Sequence, residues 1–110
     1  MSAELEPAIS PYVFKQLVLP EPNTDSILSQ TIFNNDSVKV TLFSFVAGQE
    51  LSQHTASKPA LLHILQGSAV LGLAEDILEA KTGTWIHLPA HLPHSVPAKT
   101  ELHFLLTLVK

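Results

Sequence analysis

The histidines are the side chains of this sequence best able to do chemistry. There are six of them in 110 residues, and the chain has no cysteine, so thiolate ligands and disulfides are excluded. Imidazole binds metal ions and changes its charge near neutral pH, so it can act as a ligand or as a hydrogen-bonding group. His91 and His94 lie in LPAHLPHSVPA, residues 88–98, whose prolines exclude a helix and stiffen the chain around both histidines.

Short β-strands are expected to make up most of the chain around these histidines. Apolar or alternating runs separated by turn signals predict strands, and no helical period is sustained along the chain. The expected strands are 12–19, 26–33, 38–46, 60–66, 68–73, a short one within 74–83, 84–88 and 101–109. Segments 47–59 and 88–98 are expected to connect them. Roughly eight to ten short strands with regular turn signals predict an all-β sandwich or barrel.

Length and charge narrow the class of protein. One domain is expected at this length, with residues 1–11 as an N-terminal arm and 12–110 as the barrel domain. The net charge is −4 and arginine is absent, so no nucleic-acid partner is expected. No apolar run reaches membrane-spanning length and the start has no signal-peptide pattern, so no membrane partner is expected. A cytoplasmic location fits the absence of cysteine.

The first of two regularly spaced segments begins at Gly48. That glycine is followed by five residues and His54, and then by Ala56, Ala60 and Gly67. The segment resembles the first motif of the cupin superfamily, G-x5-H-x-H-x3-E-x6-G. Alanines stand where the motif has its second histidine and its glutamate.

The second segment resembles the second cupin motif, G-x5-P-x-G-x2-H-x3-N, with every spacing kept. Gly83, Pro89 and His94 match it, whereas His91 replaces the motif's glycine and Ala98 its asparagine. The two segments and their flanking strands cover nearly the whole chain. The resemblance therefore predicts a small single-domain cupin, an RmlC-like jelly-roll barrel also called a double-stranded β-helix.

The resemblance also implies a metal site. In cupins the two histidines and the glutamate of the first motif, with the histidine of the second, bind one divalent metal ion inside the barrel. Here the implied ion is Zn, Fe, Mn or Ni held by His54 and His94, with His91 or water completing the shell, because Ala56 and Ala60 supply no ligand. Alternatively, His91 is a solvent-facing loop residue, and the other two are pocket residues bonded to each other or to water.

Successive side chains of a strand point to opposite faces, so the remaining residues can be assigned to the inside or the outside of the barrel. We expect His63, His87 and His103 on the outer face of the barrel rather than among its ligands. The pocket lining is expected to consist of Leu42, Ala56, Ala60, Leu62, Ile64, Ile86 and Phe104. Segments 60–66 and 103–109 are apolar on both faces, so the outer face requires cover and we predict a homodimer.

Three functions remain open from the sequence. The first is a metal-binding cupin, whose site would support metal-assisted chemistry. The second is a metal-free cupin whose apolar pocket holds a small molecule, with His54 and His94 as its orienting polar groups. The third is a structural or regulatory dimer without a ligand. No catalytic residue is assigned, because the missing glutamate was the most evident internal base.

Overall fold

Nine β-strands and no helix form the regular structure of residues 11–22 and 27–110, which are the residues that the computed structural model describes. The strands are β1 (Leu28–Asn34), β2 (Val38–Phe45), β3 (Glu50–His54), β4 (Ala60–Gln66), β5 (Ser68–Leu73), β6 (Asp76–Lys81), β7 (Trp85–Leu88), β8 (His94–Pro97) and β9 (Leu102–Val109). A five-stranded sheet has the order β1-β2-β9-β4-β7, and a four-stranded sheet has the order β3-β8-β5-β6. All pairings are antiparallel, so the all-β prediction is confirmed. Within the same residues no helix could cross a membrane.

The N-terminal segment differs from its prediction. Residues 11–22 form no strand, so the strand expected at 12–19 is wrong. Prolines at 11, 20 and 22 bound the segment, and proline donates no backbone hydrogen bond to a sheet. The segment is held at the side of the sheet instead, where the Lys15 ammonium donates a hydrogen bond to the carbonyl oxygen of Ile32. The rest of the predicted arm, residues 1–10, lies outside the described residues.

Two strands lie in segments that were expected to be connections. Four of the five residues of β3 are exposed, so this strand lacks the apolar alternation that sequence patterns detect. Strand β8 has only four residues and sits among the prolines of 88–98. It nevertheless lies inside the four-stranded sheet, between β3 and β5. The two strands that carry His54 and His94 were therefore the hardest to predict.

Three phenylalanine rings fill the space between the sheets. Phe43 stacks on Phe104 with ring centroids 5.2 Å apart, and Phe45 meets Phe104 edge to face at 5.5 Å. Aromatic pairs of this kind contribute about 0.5–1.5 kcal/mol beyond the area they bury. The other buried residues of this core are Leu62, Ile64, Ala69, Leu71, Ala80, Val96, Ala98 and Leu102.

Strand β2 buries side chains on both faces, and the prediction that its residue Leu42 lines the interior is wrong. Phe43 and Phe45 belong to the core, so alternation places Leu42 and Ser44 on the outer face. Leu42 was expected to line the interior. It is only 1% exposed, but it lines an outer groove together with residues 15–18 of the N-terminal segment. The N-terminal segment of the same chain thus covers part of the outer face of the five-stranded sheet.

The outer-face assignment of His63 and His87 agrees with the structure. On β4, His63 is exposed between the buried residues Leu62 and Ile64. On β7, His87 is exposed and its neighbour Leu88 is buried. Neither imidazole points toward the core.

The turn between β4 and β5 requires glycine. Gly67 has a φ of +104°, a backbone conformation that side chains disfavour. A Cβ at this position would overlap the carbonyl oxygen of Glu101. The close approach lets the turn pack against the loop before β9, where Ser68 N donates to Thr100 Oγ1 at 3.0 Å.

Two isoleucines give a matched test of the packing. Ile64 is fully buried in the core, whereas Ile77 on β6 is 75% exposed. We expect Ile64→Ala to lower the free energy of unfolding by about 2–5 kcal/mol, and Ile77→Ala by less than about 0.5 kcal/mol. Urea unfolding followed by circular dichroism measures both. Equal losses in the two variants would contradict this placement of the sheets.

Candidate functional site

The pairing of β3 with β8 brings together the two histidines retained from the cupin motifs. His54 ends β3 and is the cross-strand partner of His94, which begins β8. Their ring centroids are 4.2 Å apart and the ring planes are inclined at 61°. The register shifts between Leu51 and His54, and irregularities of this kind redirect side chains near functional sites.

Both rings are anchored in the same way. Nδ1 of His54 lies 2.8 Å from the carbonyl oxygen of Ser52, and Nδ1 of His94 lies 2.8 Å from that of Leu92. A carbonyl oxygen only accepts hydrogen bonds, so each Nδ1 carries the proton and donates it. In the neutral rings both Nε2 atoms therefore keep their lone pairs. This is how metal-ligating and ligand-orienting histidines are usually fixed.

The pair is open to solvent on one side. His94 is 6% exposed, whereas His54 is exposed. In the described part of the chain no buried side-chain nitrogen or oxygen lacks a hydrogen-bond partner. Nε2 of His94 has no partner there, so this atom is accessible to solvent rather than sealed in the core. Both rings of the pair therefore have some contact with solvent.

His91 has a backbone role in the structure. Its φ of +69° lies in the left-handed region that favours glycine, which is the residue the cupin motif has at this position. Its backbone nitrogen donates a 2.7 Å hydrogen bond to the carbonyl oxygen of Ala56, tying the β7–β8 loop to the β3–β4 loop. The side chain is exposed. Among residues 11–22 and 27–110, no three histidine, aspartate or glutamate side chains gather as a metal group, so His91 does not complete one with His54 and His94.

Ala56 and Ala60 stand where the cupin motif has two further ligands. Ala60 is buried at the start of β4, and Ala56 is half-buried in the loop before it. A methyl group coordinates nothing, and among the described residues no third histidine or carboxylate joins the two imidazoles. Resident metal cofactors are normally held by three or four protein ligands. The residues present therefore do not fit a tightly bound metal cofactor.

The other residues expected to line a pocket divide into two groups. Leu62, Ile64 and Phe104 belong to the core and Ile86 packs against it. These side chains fill the interior around the phenylalanine rings. Ala56, in contrast, lines an open surface pocket of about 220 Å³ together with residues 57–58 and 108–110.

His103 forms a hydrogen-bonded chain that the sequence did not reveal. It is 1% exposed on the outer face of β9, between Ser44 Oγ at 2.8 Å from its Nδ1 and Glu101 Oε2 at 2.8 Å from its Nε2. A serine, a histidine and a carboxylate linked by hydrogen bonds suggest nucleophilic catalysis. Ser44 is fully buried, however, so no substrate reaches its hydroxyl. These hydrogen bonds give each ring nitrogen of the buried imidazole a partner, and the bond to Ser44 links β2 to β9. Ser44 and His103 are cross-strand partners, so the correct register of β2 and β9 would have predicted their hydrogen bond.

Comparison with known proteins identifies the family through structure. No family model and no curated protein matches the sequence. A cupin superfamily protein from Desulfitobacterium hafniense is 27% identical and matches 81% of this chain and 82% of its own, with a TM-score of 0.77. A conserved protein of unknown function from Streptococcus pyogenes is 30% identical over 82% of this chain and 79% of its own, with a TM-score of 0.75. An RmlC-like cupin protein from Desulfovibrio desulfuricans is 22% identical over 89% and 97%, with a TM-score of 0.78.

The chain belongs to the cupin superfamily and has its double-stranded β-helix fold. Membership supports binding of a metal ion or a small molecule in general terms. One fold serves many functions, so the geometry of the site must decide between a metal ion and a small molecule.

The hydrogen bonds predict a tautomer for each of three histidines. In the neutral form of each ring, His54 and His94 should carry the proton on Nδ1. His103 should carry it on Nε2, which donates to the Glu101 carboxylate. Long-range proton–nitrogen NMR distinguishes the two forms. An Nε2–H tautomer at His54 or His94 would contradict the anchoring described here.

Proposed function

We propose that this chain is a small-molecule-binding cupin whose ligand is oriented by the Nε2 atoms of His54 and His94. The observation that carries the proposal is the anchoring of both Nδ1 atoms to backbone carbonyl oxygens. It leaves two hydrogen-bond acceptors on adjacent rings, 4.2 Å apart at their centroids. Small-molecule sites commonly combine apolar surface with a few polar groups of this kind.

The chemistry of the pair defines which ligand groups it can take. When the rings are neutral, each Nε2 accepts a hydrogen bond from a hydroxyl or an N–H of the ligand. When the rings are protonated, the same atoms donate to an oxygen. Because the anchored rings are already ordered, binding costs little side-chain entropy.

A weakly held divalent metal ion is the second candidate at the same atoms. The free lone pairs of two anchored imidazoles favour it, and zinc or nickel would suit such nitrogen ligands. With only two protein ligands, the remaining coordination positions would fall to water or to a bound molecule. We therefore expect such an ion to exchange rapidly rather than remain through purification.

A fragment screen tests the role of the histidine pair. We expect some small alcohols, phenols or amides to shift the His54 and His94 ring resonances in ligand titrations followed by NMR. His94→Ala and His54→Ala should each weaken those fragments by about tenfold, since each removes one hydrogen bond. His63→Ala, which removes an exposed imidazole on the outer face, should have no effect. A screen in which no fragment depends on either histidine would contradict the proposal.

We also propose that the chain forms a homodimer through exposed apolar side chains of the N-terminal segment and the five-stranded sheet. Tyr12, Phe14 and Val18 are 70%, 86% and 77% exposed. Trp85 is 59% exposed on β7, opposite His63 of β4. Burial of such side chains against a second copy removes apolar surface from water and is favourable.

Charge substitutions test the dimer. At micromolar concentration we expect twice the mass of one chain in size-exclusion chromatography with light scattering. Trp85→Glu should shift the protein toward the monomer, because burying an unpaired carboxylate is costly. Ile77→Glu, at a still more exposed isoleucine of the other sheet, should not. A monomeric parent protein is the result that would count against the dimer.

A further inference from the structure

A row of four residues crosses the four-stranded sheet at the level of the paired histidines. His94 of β8 is the cross-strand partner of His54 on one side and of Leu73 on the other. Leu73 of β5 is in turn the partner of Asp76 of β6. The strand order β3-β8-β5-β6 therefore places the four residues in one line, with a carboxylate at the end opposite His54.

This row lies on the face of the sheet that is turned toward the core. Leu73 packs against the hydrophobic core, and Val96, two residues after His94, is part of that core. On β6 the core residue is Ala80, four residues after Asp76. Because residues an even number apart on a strand share a face, His94 and Asp76 point to the same side of the sheet as Leu73.

The space in front of this row is open at the β6 end. Leu78 lies on the same face as Ala80, yet it is 52% exposed, whereas Ala80 is 2% exposed. Cover on this face of β6 thus decreases from Ala80 toward Asp76, which is itself exposed. Leu73 is half-buried between Asp76 and His94. An apolar surface with polar groups at both ends is a common form of small-molecule site.

The backbone fixes the position of Asp76 relative to the histidines. Residues 73–76 form the tight turn between β5 and β6, and Ala74 in this turn donates a 2.8 Å backbone hydrogen bond to the carbonyl oxygen of Pro93. Pro93 directly precedes His94. Neighbouring strands lie about 4.8 Å apart, so β6 and β8 are separated by about 10 Å. Asp76 accordingly forms no metal group with the histidines, but a small molecule can span this distance.

Asp76 gives its end of the row a negative charge that the histidine pair does not have. Within the described part of the chain its carboxylate forms no ion pair. Glu75, the residue before it, adds a second carboxylate to the same turn. Carboxylates attract ammonium groups, whereas the free nitrogen of a neutral imidazole accepts a hydrogen bond from a hydroxyl group. The two ends of the row therefore favour different groups of one ligand.

We propose that the ligand of the histidine pair is a small amine that also carries a hydroxyl group, with a compact apolar part between the two. The hydroxyl donates to Nε2 of one of the two imidazoles. The apolar part packs on Leu73, and the ammonium group donates a charge-assisted hydrogen bond to the Asp76 carboxylate. This inference rests on the function proposed for the histidine pair and adds the chemical class of its ligand.

Tyramine has this arrangement of groups, and two compounds that each lack one group are its matched controls. 4-Ethylphenol lacks the ammonium group, and phenethylamine lacks the hydroxyl. In proton–nitrogen NMR titrations, tyramine should shift the backbone amides of the four residues of the row in a saturable way. Each control compound should bind the parent protein with a Kd about threefold higher or more, because it loses one polar contact. Added salt should reduce the difference between tyramine and 4-ethylphenol.

Matched variants assign the difference to one carboxylate. Asp76→Asn keeps the shape of the side chain but removes its charge, so tyramine and 4-ethylphenol should bind this variant with similar Kd values. Glu75→Gln removes the same charge from the neighbouring residue of the turn and should leave most of the difference. His94→Ala should weaken both phenols, because it removes a hydrogen-bond acceptor.

The possible failures of this inference and of the proposed function are distinguishable. The inference is overturned if tyramine causes no saturable shift, if either control compound binds the parent protein as well as tyramine does, or if tyramine keeps its advantage in Asp76→Asn. Tyramine binding that requires Asp76 but neither histidine would also overturn it, because the ammonium group would then occupy a separate site. If 4-ethylphenol binds through the histidines and tyramine gains nothing, the function proposed for the pair stands and only this inference fails.

Discussion

Burial of three phenylalanine rings between the two sheets fixes how the central strands align. Phe104 lies on β9, which pairs with β2 on one side and β4 on the other. Its ring contacts both Phe43 and Phe45 of β2. Once this cluster fixes the register of the three strands, the residues at their ends are also fixed relative to one another. Lys39, Leu108 and Ala60 are brought side by side in this way.

The end of the barrel keeps the cupin frame but has different chemistry. Strand β8 still delivers His94 to His54, and backbone carbonyls still orient both rings. The positions that would complete a cation site carry methyl groups at Ala56 and Ala60. No third histidine or carboxylate gathers beside the two imidazoles among the described residues, so the pair suits a small molecule better than a tightly held divalent ion.

Motif spacing made the cupin fold predictable because it marks the tight turns. Gly67 sits in the left-handed region at the β4–β5 turn, and His91 adopts the same region where the motif has glycine. The spacing between these turn positions is kept in this sequence although the motif's ligands at positions 56 and 60 are replaced by alanine. The pairing of His54 with His94 followed from the same spacing, since each histidine keeps its place in its motif.

Features that depend on tertiary contacts could not be predicted in this way. Strand β2 is apolar on both faces, so alternation alone did not show that Phe43 rather than Leu42 points inward. Strand β3 is mostly exposed and had no pattern to detect. The hydrogen bonds of His103 to Ser44 and Glu101 depend on which strands are neighbours, and the sequence does not state this.

We propose that the paired histidines recognise a small molecule rather than hold a resident metal cofactor. Elemental analysis of untagged protein, purified without chelators, distinguishes the two roles. The donor set predicts less than about a tenth of an equivalent of any transition metal. Close to one equivalent in the parent protein, lost in both His54→Ala and His94→Ala, would show that the pair holds a metal cofactor instead.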